Sequence, residues 1–146
     1  MIDYFKQYIE NAIKWAMGQM DSMDYHTLCL GFVEKAYEVS NNIEIFGGST
    51  AKESADDYGT NKTPRIPPRG AFVFYDCYGT LRGTLKNWGH VGISLGDGTV
   101  IHAWDKVRMD DYHDIEKLQS PPGWNSPQYI GWTSVERILQ GYQKHF

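Results

Sequence analysis

From Gly89 to Trp104 the chain reads Gly-His-Val-Gly-Ile-Ser-Leu-Gly-Asp-Gly-Thr-Val-Ile-His-Ala-Trp, two alternating runs separated by Gly96-Asp97-Gly98. Alternation with a period of two belongs to half-buried strands, and an Asp-Gly step between two such runs marks a hairpin. His90, Gly92 and Ser94 share one face of the first strand, and Val91, Ile93 and Leu95 share the other. The turn decides what the two histidines do. A two-residue Asp97-Gly98 turn pairs Ile93 with His102 and sends the rings to opposite faces. A three-residue loop with Gly98 in the left-handed conformation pairs Gly92 with His102 instead. His90 then lies diagonal to His102, roughly 7–8 Å along the backbone and within reach of large side chains. The three-residue loop is expected, because an odd-length connection is what lets the rings meet and Gly92 leaves room between them.

The stretch before the hairpin has a different period. Phe5, Ile9, Ala12, Ile13, Ala16 and Met17 recur at helical spacing, predicting an amphipathic helix over residues 2–17 that Gly18 ends. Residues 19–27 suit a loop with a helix cap. Cys29, Phe32, Val33, Ala36 and Tyr37 predict a second helix over 28–39, and 49–58 predict a short third. Pro64, Pro67 and Pro68 then force an extended segment. Beyond it the pattern is that of strands: 71–75, the hairpin 91–95 and 99–104, 106–110 and 129–132. Residues 79–87 and 119–128 are expected as loops and 134–140 as a closing helix. Helices first and an antiparallel sheet second point to a single α+β domain spanning 1–146.

Cys29 opens the second helix, where unpaired backbone N–H groups and the helix dipole favour an anion. A thiol, a base and a polar group that orients the base are the minimal kit for nucleophilic acyl chemistry. The competing reading of Cys29 is a small core residue on the stripe of Phe32 and Val33. Cys77 follows a strand in a Tyr-Gly loop where nothing lowers a thiol pKa, and it is read as structural. Cys29, Cys77, His90 and His102 offer four zinc-type donors but lack the short paired spacings of structural zinc, so neither metal nor cofactor is expected. Asp110, Asp111 and Asp114 beside His113 lack a calcium-loop register and read as a solvated turn.

Composition removes several function classes. The formal net charge of −4, without a Lys/Arg cluster, argues against nucleic acid as a partner. With 146 residues, 41% of them hydrophobic, a folded globule with a real core is expected. No run is long enough to span a membrane, and charges interrupt Met1–Lys6, so a soluble chain with no signal peptide is expected. Ten Tyr and five Trp supply aromatic surface for a peptide or sugar-bearing ligand.

Cys29 to Val33, Pro68 to Tyr75, and His90 to Gly98 ending in Ile101-His102-Ala103 resemble the NlpC-type cell-wall cysteine peptidases of the papain-like superfamily. The family pattern is a Cys-Ser-Gly-Phe-Val-like helix start, then Pro-Gly-Asp-Leu-Val-Phe-Phe, then His-Val-Gly-Ile-Tyr-Leu-Gly-Asp-Gly ending in Ile-His-Ala. The likeness covers about residues 15–105 and implies a papain-like fold with N-terminal helices packed on the sheet. It implies Cys29 as nucleophile, His90 as general base and His102 as the residue that orients it. The implied substrate is peptidoglycan or its stem peptides, cut by an endopeptidase or amidase next to D-glutamate or the diamino acid. Leu28 and Leu30 stand where the family often has Asp and Ser, residues that help read the substrate. Tyr25 is the candidate for the family's oxyanion-hole tyrosine, beside the Cys29 backbone N–H. Action at the wall then follows release or delivery by another route, as in a phage lysin or a toxin delivered to rival cells. Two alternatives use the same fold: a catalytically silent module that binds peptide or glycan, and a papain-like acyltransferase. Oligomeric state and scissile bond are not encoded in these motifs.

Overall fold

A computed structural model describes residues 5–144. Helix α1 spans Lys6–Met17 and buries Ile9, Ala12, Ile13 and Ala16, the stripe expected from the sequence, before Gly18 caps it. Residues 2–4 of the expected helix lie outside the described residues. Helix α2 spans Cys29–Asn41 and buries Leu30, Phe32, Val33, Ala36 and Tyr37. Strand β1 is Ile43–Glu44. Helix α3, Ala51–Tyr58, starts at Thr50, whose hydroxyl accepts the Glu53 N–H at 3.1 Å. The Glu53 carboxylate accepts the Ser49 N–H at 3.2 Å, so the side chains of Thr50 and Glu53 hold the helix start from both sides of the cap.

Strands β2 (Phe72–Asp76), β5 (His90–Ser94), β6 (Thr99–Ala103), β7 (Val107–Asp111) and β8 (Gln128–Thr133) form one antiparallel sheet in the order β7-β6-β5-β2-β8. Between β2 and β5 lies a hairpin of β3 (Tyr78–Leu81) and β4 (Thr84–Asn87). The short helix α4 is Val135–Ile138, and β9, Gln143–Lys144, pairs with β1. The chain is thus α+β, with helices before an antiparallel sheet.

Alternation along the strands gives the sheet two buried faces. Phe72, Phe74, Val91, Ile93, Ile101 and Ala103 pack with the α1 and α2 stripes in one core. Val73, Tyr75, Val100, Tyr112, Ile115 and Tyr129 form a second core on the far side. The hairpin register is the expected one. Gly92 faces His102, Ile93 faces Ile101 and Ser94 faces Val100, which leaves a three-residue loop of Gly96-Asp97-Gly98 with Gly98 at φ 97°.

Two expectations are corrected. Residues 79–87 are a two-stranded hairpin and not a loop; Arg82 and Gly83 close it at φ 51° and 79°, the twist of a type I′ turn. Its strands are exposed along most of their length, so no apolar alternation announced them. The closing helix is a single turn, and β1 and β9 are two-residue strands too short to leave a periodic signal.

Candidate active site

The N-terminus of α2 and the start of β5 open into a cleft of about 960 Å³ lined by Cys29, His90, Trp88, Trp104 and Trp124 among others. Leu28 precedes α2 and its apolar side chain caps none of the first-turn N–H groups; those of Cys29 and Leu30 lie against the Cys29 sulfur. Thr27, a β-branched residue held at φ 65°, makes the sharp entry. That conformation costs on the order of 1–2 kcal/mol.

The two rings are adjacent. His90 Nε2 and His102 Nδ1 are 2.8 Å apart, with ring centroids at 5.0 Å and nearly perpendicular planes. Trp104 stands edge-on to His90 at 5.1 Å between centroids, and Tyr75 flanks it at 6.0 Å. Gly92 makes the approach possible, since a Cβ there would lie 2.3 Å from a Val100 methyl and 2.8 Å from the His102 Cβ.

The line of hydrogen bonds continues past the histidines. His102 Nε2 lies 2.8 Å from Asp110 Oδ2, and the Arg108 Nε donates to the same oxygen at 2.8 Å. Arg108 also bridges to Asp105 at 3.2 Å. Asp110 was expected in a solvated turn; it stands on β7 opposite Val100 and anchors His102. The position on a strand adjoining the histidine strand is what sequence spacing alone did not reveal. Only the pairing of β6 with β7 places Asp110 near the ring.

The carboxylate fixes the protons. An ionised Asp110 only accepts, so His102 carries its hydrogen on Nε2 and offers a lone pair at Nδ1. His90 Nε2 must then donate, which leaves His90 Nδ1 bare. The arrangement holds while both rings are neutral, and they are: burial lowers the His90 pKa well below its usual value, with His102 adding to the effect. Burial likewise lowers His102, against the pull of Asp110. Asp110 itself is held below the ordinary carboxylate range; burial opposes this, but the hydrogen bonds from His102 and Arg108 prevail.

Cys29 is half-buried at the cleft. Burial pushes its thiol up to about 11, although backbone N–H groups of Val91, Leu30 and Cys29 itself favour the thiolate. The helix start therefore does not by itself produce an anion, contrary to what its position suggested. Contact with the Val91 N–H sets the sulfur beside the strand residue that follows His90, yet no hydrogen bond joins the thiol to either ring among the described residues. Cys77 lines the same cleft, buried, with its thiol directed at the Asn125 carbonyl at 3.6 Å and raised to about 12, chiefly by burial. Tyr25 packs its ring against Trp15 and Phe32 and does not line the cleft. Among the described residues no three His, Cys, Asp or Glu side chains converge as metal ligands, and no helix is long and apolar enough to cross a membrane.

A profile of the NlpC/P60 family matches residues 13–121. Among solved structures the fold is similar to NlpC1 from Trichomonas vaginalis, with a TM-score of 0.53 and 20% identity over 86% of this chain. That alignment takes in 45% of the Trichomonas protein, so this chain spans less than half its length. It is also similar to RipD from Mycobacterium tuberculosis, described as a non-catalytic NlpC/p60 domain protein adapted to peptidoglycan binding, with a TM-score of 0.54 and 14% identity over 88% of this chain and 98% of that one. No curated protein sequence matches.

Proposed function

Because the chain belongs to the NlpC/P60 family, we propose that it is a cysteine hydrolase that cleaves amide bonds in peptidoglycan stem peptides, as an endopeptidase or amidase, with Cys29, His90 and His102 as its reacting and orienting residues. The observation that carries this reading is the hydrogen-bonded run His90–His102–Asp110, which leaves His90 Nδ1 as a free base at the cleft that Cys29 lines.

The reaction follows from those assignments. As a carbonyl carbon approaches, the Cys29 proton passes to His90 Nδ1 and the sulfur forms a bond to that carbon. The oxygen that becomes negative is met by the Cys29 backbone N–H at the start of α2. His90 returns the proton to the leaving amine as the C–N bond breaks, giving a thioester. Water then gives a proton to His90 and its oxygen adds to the thioester carbon; the thiol leaves and recovers that proton. His102 holds the His90 ring in the productive tautomer throughout. Tyr25 has no role in this scheme.

The RipD likeness favours a second reading, a silent module that binds peptidoglycan without cutting it. Mass spectrometry of purified walls after incubation separates the two. New soluble muropeptides with the wild type and none with Cys29→Ala support hydrolysis. Wall binding without any new fragment supports the silent module, and fragments released equally by Cys29→Ala remove Cys29 from the chemistry.

A further inference from the structure

A second pocket, of about 340 Å³, opens at the end of the sheet away from the cleft. Its Thr133 faces Phe72, the first residue of β2, whereas Cys77 of the cleft follows the last. The five residues of β2 lie between the two sites, about 17 Å of strand. One wall of the pocket is residues 58–61, where the chain leaves α3, and the other is Thr133, Ser134 and Arg137. The walls are stapled together. Asn61 exchanges two backbone hydrogen bonds with Trp132, at 2.8 and 3.0 Å, and the Thr133 hydroxyl donates to the Gly59 carbonyl at 2.7 Å. Gly131 permits the approach: it sits at φ 134°, and a Cβ on it would lie 2.7 Å from the Asn61 carbonyl oxygen. The pocket is thus a preformed part of the fold.

Its unengaged groups are donors. Ser134 occupies the cap position before α4, yet its hydroxyl caps nothing and has no partner among the described residues. The Thr60 backbone N–H is likewise unpartnered among them. No hydrogen bond or ion pair among the described residues engages the Arg137 guanidinium, and no carboxylate lines the pocket. Asp57 and Glu136, the acids adjoining it in sequence, are not among its lining residues. The strap beyond Asn61 adds charge of the same sign. Lys62 lies over the Tyr129 ring and Arg65 over the Trp132 ring, and neither is paired with an acid among the described residues. In a chain of net charge −4 this gathering of unpaired cations draws anions to one edge. A planar carboxylate would be served by the guanidinium alone. A guanidinium, a hydroxyl and an amide N–H drawn from two walls suit an anion whose oxygens are arranged tetrahedrally.

We propose that this pocket is a phosphate-binding site, built from Arg137, the Ser134 hydroxyl and the Thr60 N–H. Free phosphate and the phosphodiester of an anionic wall polymer present the same chemistry to it. The site uses neither Cys29 nor the histidines, so it stands or falls apart from the hydrolase reading. A ¹⁵N NMR titration of the whole chain with inorganic phosphate, at fixed ionic strength and against a chloride control, tests it. Saturable shifts are expected at Thr60, Asn61, Ser134 and Arg137, with half-saturation on the order of 1 mM for so few donors in an open pocket. Arg137 is exposed, so its replacement leaves the core intact. Arg137→Gln should weaken binding about tenfold and Ser134→Ala about threefold, whereas Arg65→Gln, outside the pocket, should change it by less than about twofold. A parallel titration with bis(glycerol) phosphate separates the sources: saturation at the same residues points to a polymer phosphodiester, and saturation by the inorganic ion alone points to free phosphate. Absent shifts, shifts that never saturate or that chloride reproduces, or shifts unchanged by Arg137→Gln would overturn the proposal and leave an adventitious ion only.

Discussion

The resting charge state of Cys29 is open to a measurement that needs no substrate. The thiol stands at about 11 and the His90 ring well below 6.5, so moving a proton from sulfur to ring costs at least about 6 kcal/mol before the two charges attract. A close ion pair in a partly buried site recovers about 4 kcal/mol. The neutral pair is therefore the ground state, and the ion pair forms as substrate arrives.

Alkylation by iodoacetamide reads this directly in a Cys77→Ala protein, where Cys29 is the one remaining cysteine. At pH 7 a thiol at about 11 is thiolate to about one part in 10⁴. An unperturbed thiol is thiolate to about 3%, roughly 300 times more. The more basic thiolate is intrinsically about 10–20 times the better nucleophile, which leaves Cys29 roughly 20-fold slower than free cysteine. The rate should then climb about tenfold per pH unit up to pH 10, and His90→Ala should change it little at neutral pH. A rate that levels off below pH 8 and drops sharply in His90→Ala would refute the argument, since it would show a preformed thiolate held by an imidazolium.

Asp110→Asn exchanges an acceptor for a side chain that can donate to His102 Nε2, so the His102 proton moves to Nδ1 and His90 Nε2 becomes the acceptor. Loss of a charge-assisted hydrogen bond is worth about 1.5–3 kcal/mol, so turnover on walls should fall roughly 10–150-fold, with the tautomer change visible in the imidazole ¹⁵N shifts. Unchanged shifts would defeat the proton assignment. Gly92→Ala must push a methyl into Val100 and His102, and thermal denaturation should show a loss of about 1–3 kcal/mol together with a wider ring separation. Both rings take up protons at lower pH when folded than the unfolded chain does near pH 6.5, His90 at much lower pH. The stability they contribute is present above that pH and lost as the pH falls below it, by up to about 1.36 kcal/mol per pH unit for each ring. Denaturant melts between pH 7.5 and 5 should show the decline, and His102→Gln should make it shallower.

What could be read from the sequence was whatever obeyed a period. The α1 and α2 stripes and the Val91-Ile93 alternation placed helices, sheet and histidines, because burial of one face enforces each pattern. The β3–β4 hairpin escaped notice because Tyr78, Thr80, Thr84 and Leu85 are exposed and an Arg-Gly turn is not a standard hairpin signal. Asp110 escaped because its role comes from a neighbouring strand, a long-range pairing that local spacing does not encode. The state of the thiol is hidden for a related reason. Its place at a helix start is visible in the chain, but its burial depends on elements far away in sequence.

The ring contact itself is specified by residues that never touch a substrate. Val91, Ile93, Ile101 and Ala103 are buried in the helix-side core, so their neighbours His90, Gly92 and His102 must share the other face. A slip of β6 by one residue would replace Ile101, fully buried, with His102 on the core side. Losing the close packing of that isoleucine costs on the order of 1–3 kcal/mol, and an imidazole unpaired in the core costs a similar amount again. Deleting Gly96 shortens the loop toward the two-residue turn that would favour such a slip. The core should resist it, so the strain stays in the loop: a lower melting temperature is expected, with the imidazole ¹⁵N shifts still reporting a paired His90 and His102. A deletion protein that melts like the wild type and shows two unpaired rings would mean that the loop, and not the apolar alternation, sets the register.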